Sequence, residues 1–309
     1  MSKTQNNKLP MIMLPVAMIV AGIVNSLPTT IVTFVVPFLQ SNLGFTAVGS
    51  NVAMRIGSLI GSIGYIVVLV LFSLVCKGLQ KKLCFVMSAY VGIIVRIIVN
   101  IASLLTSVLL CLLPDMDYAI RSLILGWGNA IGGFVYTIFE ILVAVFFFKY
   151  LSSFTEKEAF EEDKPYKVKL LKPCIVIAGY GILSLIVGFV SSAIMTAFNR
   201  SLLTDTYGQI ALSQSLNIVM HVILWGAIIG VTFLFKDKYQ KLTLVGSIIV
   251  GNNVWGLVGI LFGFITIFFP TISVVVSGIS SFITTLLGIA TGILIFYIAN
   301  KKQYERIKK

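Results

Sequence analysis

Two ionisable side chains, Arg96 and Glu140, stand inside long apolar stretches of this chain. A charge at the centre of a membrane helix costs at least about 2.5–3.5 kcal/mol, so such a residue finds a partner or a wet cavity. Two chemistries fit that demand. One is a salt bridge bracing neighbouring helices; the other is a solute or gating contact on a transport path. Arg96 lies roughly midway along its stretch and Glu140 about two turns from a charged end, so at 1.5 Å per residue their depths agree to within about 5 Å. Asn252, Asn253 and His221 are lesser candidates. Amides in apolar helices commonly hydrogen-bond between helices, and a lone histidine serves either as a proton relay or as a packing group. Asn25 and Asn129 fall in the same class.

Catalytic constellations are missing. There is no HExxH, no Glu paired with His and no Ser-centred elbow, so the chain is not read as an enzyme. A Walker motif is also absent, so the chain does not itself use ATP. Cys76, Cys84, Cys111 and Cys174 form no CxxC pair and have no His nearby. They are read as small apolar residues rather than metal ligands, and no cofactor is implied. Cys76 and Cys84 flank a lysine-rich turn, which places them toward a reducing compartment.

The elements that must carry these residues are membrane helices. Only 11% of the 309 residues are charged and 58% are hydrophobic, whereas soluble domains carry about a quarter charged residues. The apolar residues come in near-continuous blocks long enough to cross a bilayer. Backbone groups in lipid need partners within the segment, which selects α-helices, and the lack of ten-residue alternation argues against a β-barrel. Eight blocks follow from the short charged runs: about 10–39, 54–75, 83–113, 120–148, 173–198, 216–235, 242–269 and 270–299. Pro28 predicts a kink in the first, which is expected to be one tilted or kinked span ending near Pro37. Polar loops are expected over about 40–51 and 199–213.

Charge placement tests that division. Of the 23 Lys and Arg residues, nineteen fall on one side if the blocks alternate: the head, the turn at Lys77–Lys82, the run 149–172, the turn at Lys236–Lys241 and the tail. Three, Arg55, Arg121 and Arg200, fall on the other, and Arg96 is within a span. The positive-inside rule then puts both termini in the cytoplasm of a plasma-membrane protein. The same clustering in short loops explains the net charge of +12 without nucleic acid as a partner; the bilayer is the partner it implies.

The run 149–172 divides the chain into halves, 1–148 and 173–309, each with four spans. Phe154–Asp163 has the composition of a short surface helix, and this cytoplasmic segment is where a partner protein or an ATPase would dock. Lys82, Leu83, Val86, Ser88, Val91 and Gly92 match Lys241, Leu242, Val245, Ser247, Val250 and Gly251 without a gap, and Lys77 and Lys236 keep the offset. This points to a duplicated four-helix unit in parallel orientation, a plan used by carriers. At that offset Trp255 stands where Arg96 stands in the first half. Glycines four apart (57/61, 128/132, 259/263, 288/292) mark places where helices approach closely.

The expected protein is thus an all-α polytopic bundle of eight spans. The leading functional expectation is a permease-type protein moving a small solute or lipid through a cavity between the halves. The other is a non-transporting scaffold, assembly factor or immunity protein acting through a partner at the charged run. Substrate, coupling ion and oligomeric state are not legible.

Overall fold

The computed structural model describes residues 8–43, 46–113, 116–157, 170–201 and 206–307. Ten α-helices build eight spans. These are α1 (Lys8–Leu43), α2 (Ala47–Ser73), α3 (Leu79–Val91) continuing as α4 (Ile97–Cys111), α5 (Tyr118–Lys157), α6 (Leu171–Ser201), α7 (Thr206–Thr232), α8 (Lys238–Val254) continuing as α9 (Gly256–Phe268), and α10 (Ser273–Ile307). No strand occurs among the described residues. Large apolar side chains point outward along the whole bundle, with Phe34 78% and Val274 83% exposed. A surface that apolar is stable only in lipid, and the chain is an all-α polytopic membrane protein.

The boundaries differ from the sequence expectation in a consistent way. The first block is one helix holding Pro15, Pro28 and Pro37 inside it; its membrane span ends at Phe38, near Pro37 as expected, while the helix continues to Leu43. The polar loops expected at 40–51 and 199–213 are largely helical, because α1 runs to Leu43, α2 starts at Ala47 and α7 starts at Thr206. Polar residues at a span's end leave the hydrocarbon without leaving the helix, and Thr46 caps α2 by accepting from the Gly49 amide. The expected surface helix at 154–163 begins as a continuation of α5 to Lys157; the rest of it lies outside the described residues.

Two spans are interrupted near mid-depth, which composition did not foretell. Between α3 and α4, Gly92–Arg96 tightens into a 3-10 turn. A glycine followed by Ile93, Ile94 and Val95 combines low helix propensity with β-branched crowding, and tight 3-10 stretches within helices often mark hinges. Between α8 and α9, Trp255 leaves the helix at φ −87°, ψ 6°. There Asn253 turns its Nδ2 back to the Ile249 carbonyl (2.7 Å), a side-chain bond that competes with the helix ladder, and Gly256 follows. Arg96 and Trp255 are the positions paired by the repeat offset.

Packing places α3 and α8 at the centre. They touch each other, with Gly246 against Met87, and nearly all their residues from Cys84 to Val91 and from Thr243 to Gly251 are buried. Around them α1 packs on α2 and α6 on α7; α3 on α5 and α8 on α10; α4 on α7 and α9 on α2. Exchanging each span for the one four places along maps these pairs onto one another. At the lysine-rich end, Tyr239 donates to the Ala299 carbonyl (2.9 Å), Gln80 donates to the same carbonyl (3.2 Å) and Asn300 donates to Thr243 (3.0 Å). These bonds tie α10 to α3 and α8. All four glycine pairs serve contacts within the chain. Gly57 and Gly61 face α1 at Asn25–Thr29; Gly132 faces Ala102, Gly263 faces Arg55, and Gly288 faces Gly251.

Candidate functional site

Arg96 and Glu140 open onto one cavity of about 230 Å³. Its walls come from α1 (Asn25), α2 (Ser62, Tyr65, Ile66), the end of α3 and the 3-10 turn (Tyr90, Ile93, Arg96), α5 (Tyr136, Glu140) and the break between α8 and α9 (Asn253, Val254, Gly256, Leu257). The sequence expectation put a cavity between the halves. This one lies among all four spans of the first half, and only the seventh span of the second half closes it.

The local folding explains the placement. Arg96 ends the 3-10 turn, so its side chain leaves at a different angle from that of an ideal helix, and it is exposed. Glu140 is half-buried on α5, held where α5 crosses α3. That crossing is close because Gly92 carries no side chain; a Cβ there would sit 2.7 Å from both Cγ and the carbonyl oxygen of Glu140. Tyr136 stands one turn before Glu140 on the same face of α5 and lines the same cavity. Tyr65 and Tyr90 meet edge to face with ring centroids 5.8 Å apart. Among the described residues Arg96 and Glu140 line the same cavity but form no direct ion pair. The opposite charges therefore share a polar space without neutralising each other by contact.

The lesser candidates divide. Asn253 lines the cavity and is exposed. Asn252 does not; its amide oxygen lies beside Gly288 of α10. His221 also lies elsewhere, with Nδ1 2.6 Å from the Asn217 carbonyl one turn back on α7, the geometry of a packing histidine. Sequence reasoning missed Tyr65, Tyr90, Tyr136 and Ser62. One signal was available, since Tyr136 and Glu140 are spaced i, i+4 and must share a helix face. Tyr65 and Tyr90 gave none, because tyrosine is common in spans and only packing brings these two together. Among the described residues no three His, Cys, Asp or Glu side chains gather as metal ligands.

The second half holds a different solution at the matching place. Gly251, the counterpart of Gly92, faces the backbone of Gly288 on α10 where Gly92 faces Glu140 on α5. Trp255, the counterpart of Arg96, donates its indole N–H to Thr291 of α10 (2.7 Å). One half thus sets a cation and a carboxylate at the crossing, and the other sets an indole and bare backbone. No protein-family model, curated protein or solved structure matches this chain.

Proposed function

We propose that this protein is a membrane carrier that moves a small solute through the Arg96–Glu140 cavity. The observation that carries the reading is that cavity itself: opposite charges without a direct ion pair, at mid-depth in an apolar bundle. Intramembrane charges of this kind mark solute and ion paths. Two further features support it. Both central spans are interrupted beside the cavity, as in carriers whose sites are built from discontinuous helices. The two sets of four spans also pair in the same pattern, as a duplicated parallel unit would, with the ungapped match 82–92 to 241–251 falling on the central pair α3 and α8.

In this reading the breaks at Gly92–Arg96 and Trp255 are the hinges about which α3/α4 and α8/α9 flex. By the positive-inside rule the end of the bundle that carries Lys77–Lys82 and Lys236–Lys241 faces the cytoplasm, and the membrane is the plasma membrane. The protein acts as a carrier and not as an enzyme. The partner or ATPase expected at 149–172 falls mostly on residues outside those described, and no observation favours it here.

The test is counterflow in proteoliposomes preloaded with a mixture of small solutes. Wild type exchanges at least one radiolabelled solute, while Arg96→Ala and Glu140→Ala lose exchange yet elute as folded protein. Normal exchange by the double variant would remove both residues from the mechanism.

A further inference from the structure

We propose that the cavity takes a small zwitterion of amino-acid size, its ammonium group on the Glu140 side and its carboxylate on Arg96. This inference rests on the carrier reading and deepens it by naming the substrate class.

Charge balance is the first argument. The guanidinium is always protonated, and the carboxylate opposite is not in contact with it. A ligand with a single charge would satisfy one of them and leave the other without a counter-charge inside the membrane. A ligand with both signs satisfies both and adds no net charge to a site inside the membrane.

The second argument is how the polar groups are sorted. Glu140 packs at the level of Gly92. Arg96 is four residues further on, about 6–8 Å along the axis at helical or 3-10 rise. Around the carboxylate stand tyrosines on the same cavity wall: Tyr136 one turn before it on α5, and Tyr65 set edge-on to Tyr90. A carboxylate among aromatic rings suits an ammonium group, primary or quaternary. The planar fork of Arg96 suits a carboxylate held through two parallel bonds.

Size is the third. At about 230 Å³ the cavity is below the roughly 300–1,000 Å³ of drug-sized pockets, which excludes a whole lipid and leaves room for a compact solute. The asymmetry between the halves completes the picture. Trp255 stands at the offset position of Arg96, and Gly251 meets the backbone of Gly288 where Gly92 meets Glu140, so the second half has no charge pair at the matching crossing.

The experiment is a thermal-shift titration of the full chain in lipid nanodiscs. The probes are the twenty standard amino acids and glycine betaine, against matched single-charge compounds: ethylamine, tetramethylammonium, propionate and acetate. At least one zwitterion should raise the melting temperature saturably, and its single-charge analogues should act at least tenfold more weakly. Arg96→Gln and Glu140→Gln should each lose the response, while Gly226→Ala, whose added methyl meets nothing within 4 Å, should keep it. A monocation or monoanion as potent as the best zwitterion overturns the proposal. So does a panel with no responding zwitterion, an outcome read on wild type alone if the variants do not fold. Counterflow separates this from the carrier reading. A zwitterion that binds without exchanging sinks transport and leaves the ligand class standing. Exchange of a single-charge solute without zwitterion binding sinks the ligand class and leaves transport standing.

Discussion

Replacing Gly92 by alanine tests the crossing that holds Glu140 in the cavity. Gly92 has ordinary right-handed angles, φ −53° and ψ −30°, so its lack of a side chain is a matter of room and not of backbone freedom. An added Cβ would lie 2.7 Å from the Cγ and the carbonyl oxygen of Glu140 and 3.2 Å from Cε of Met18. The Met18 methyl ends a flexible chain and can move, but the Glu140 carbonyl belongs to α5 and cannot move alone. Restoring a contact of about 3.4 Å, near the normal carbon–oxygen approach, needs α3 and α5 to part by roughly 0.7 Å. Overpacking of that kind costs typically 1–3 kcal/mol, partly offset by up to about 1 kcal/mol from the better helix propensity of alanine. Thermal unfolding in detergent, followed by tryptophan fluorescence, should therefore show a lowered midpoint and a net loss of about 1–2 kcal/mol. Gly256→Ala is the control, since it lines the same cavity but its methyl meets nothing within 4 Å. It should stay within about 0.5 kcal/mol of wild type, as open sites do. If the two variants unfold together, α3 and α5 do not cross as described and the position of Glu140 loses its explanation.

Other consequences are as direct. Gly251→Ala should be at least as damaging as Gly92→Ala, because its methyl meets the Gly288 carbonyl and the Gly292 amide, both backbone; the same unfolding assay reads it. Trp255→Phe and Thr291→Val each remove one partner of the indole–hydroxyl bond and should cost about 1 kcal/mol, and a double-mutant cycle should show that the losses are not additive. In intact cells an impermeant maleimide should label exposed Cys111 at the end opposite the lysines and lose that label in Cys111→Ser; labelling that persists reverses the proposed orientation. In detergent Cys76 should react more slowly at pH 8 than a free thiol and catch up only as pH rises. Burial pushes its thiol up from the ordinary value more than Lys81 and Lys82 pull it down, so the reactive thiolate forms later.

The number of spans, their helical nature and the end that carries the lysines were legible in the linear chain. Lipid imposes these one segment at a time: an apolar block must be long enough to cross, must satisfy its own backbone and must end in residues that prefer water. Arg96 and Glu140 stood out for the same reason, since a charge in an apolar block is conspicuous wherever its partner lies. What needed the tertiary structure was whatever depends on two helices at once. The breaks at Gly92–Arg96 and Trp255 arise where crowded or amide-bearing stretches meet close crossings. The tyrosines around Glu140 come from three spans, at positions no periodicity connects. The cavity lies within the first half, with the seventh span as its closing wall, because in the second half Trp255 and the bare backbone of Gly288 occupy the matching crossing. Hydropathy records how a segment meets lipid; the angle and depth at which one segment meets another are decided by side-chain shape at the contact, and that becomes visible only once the chain is folded.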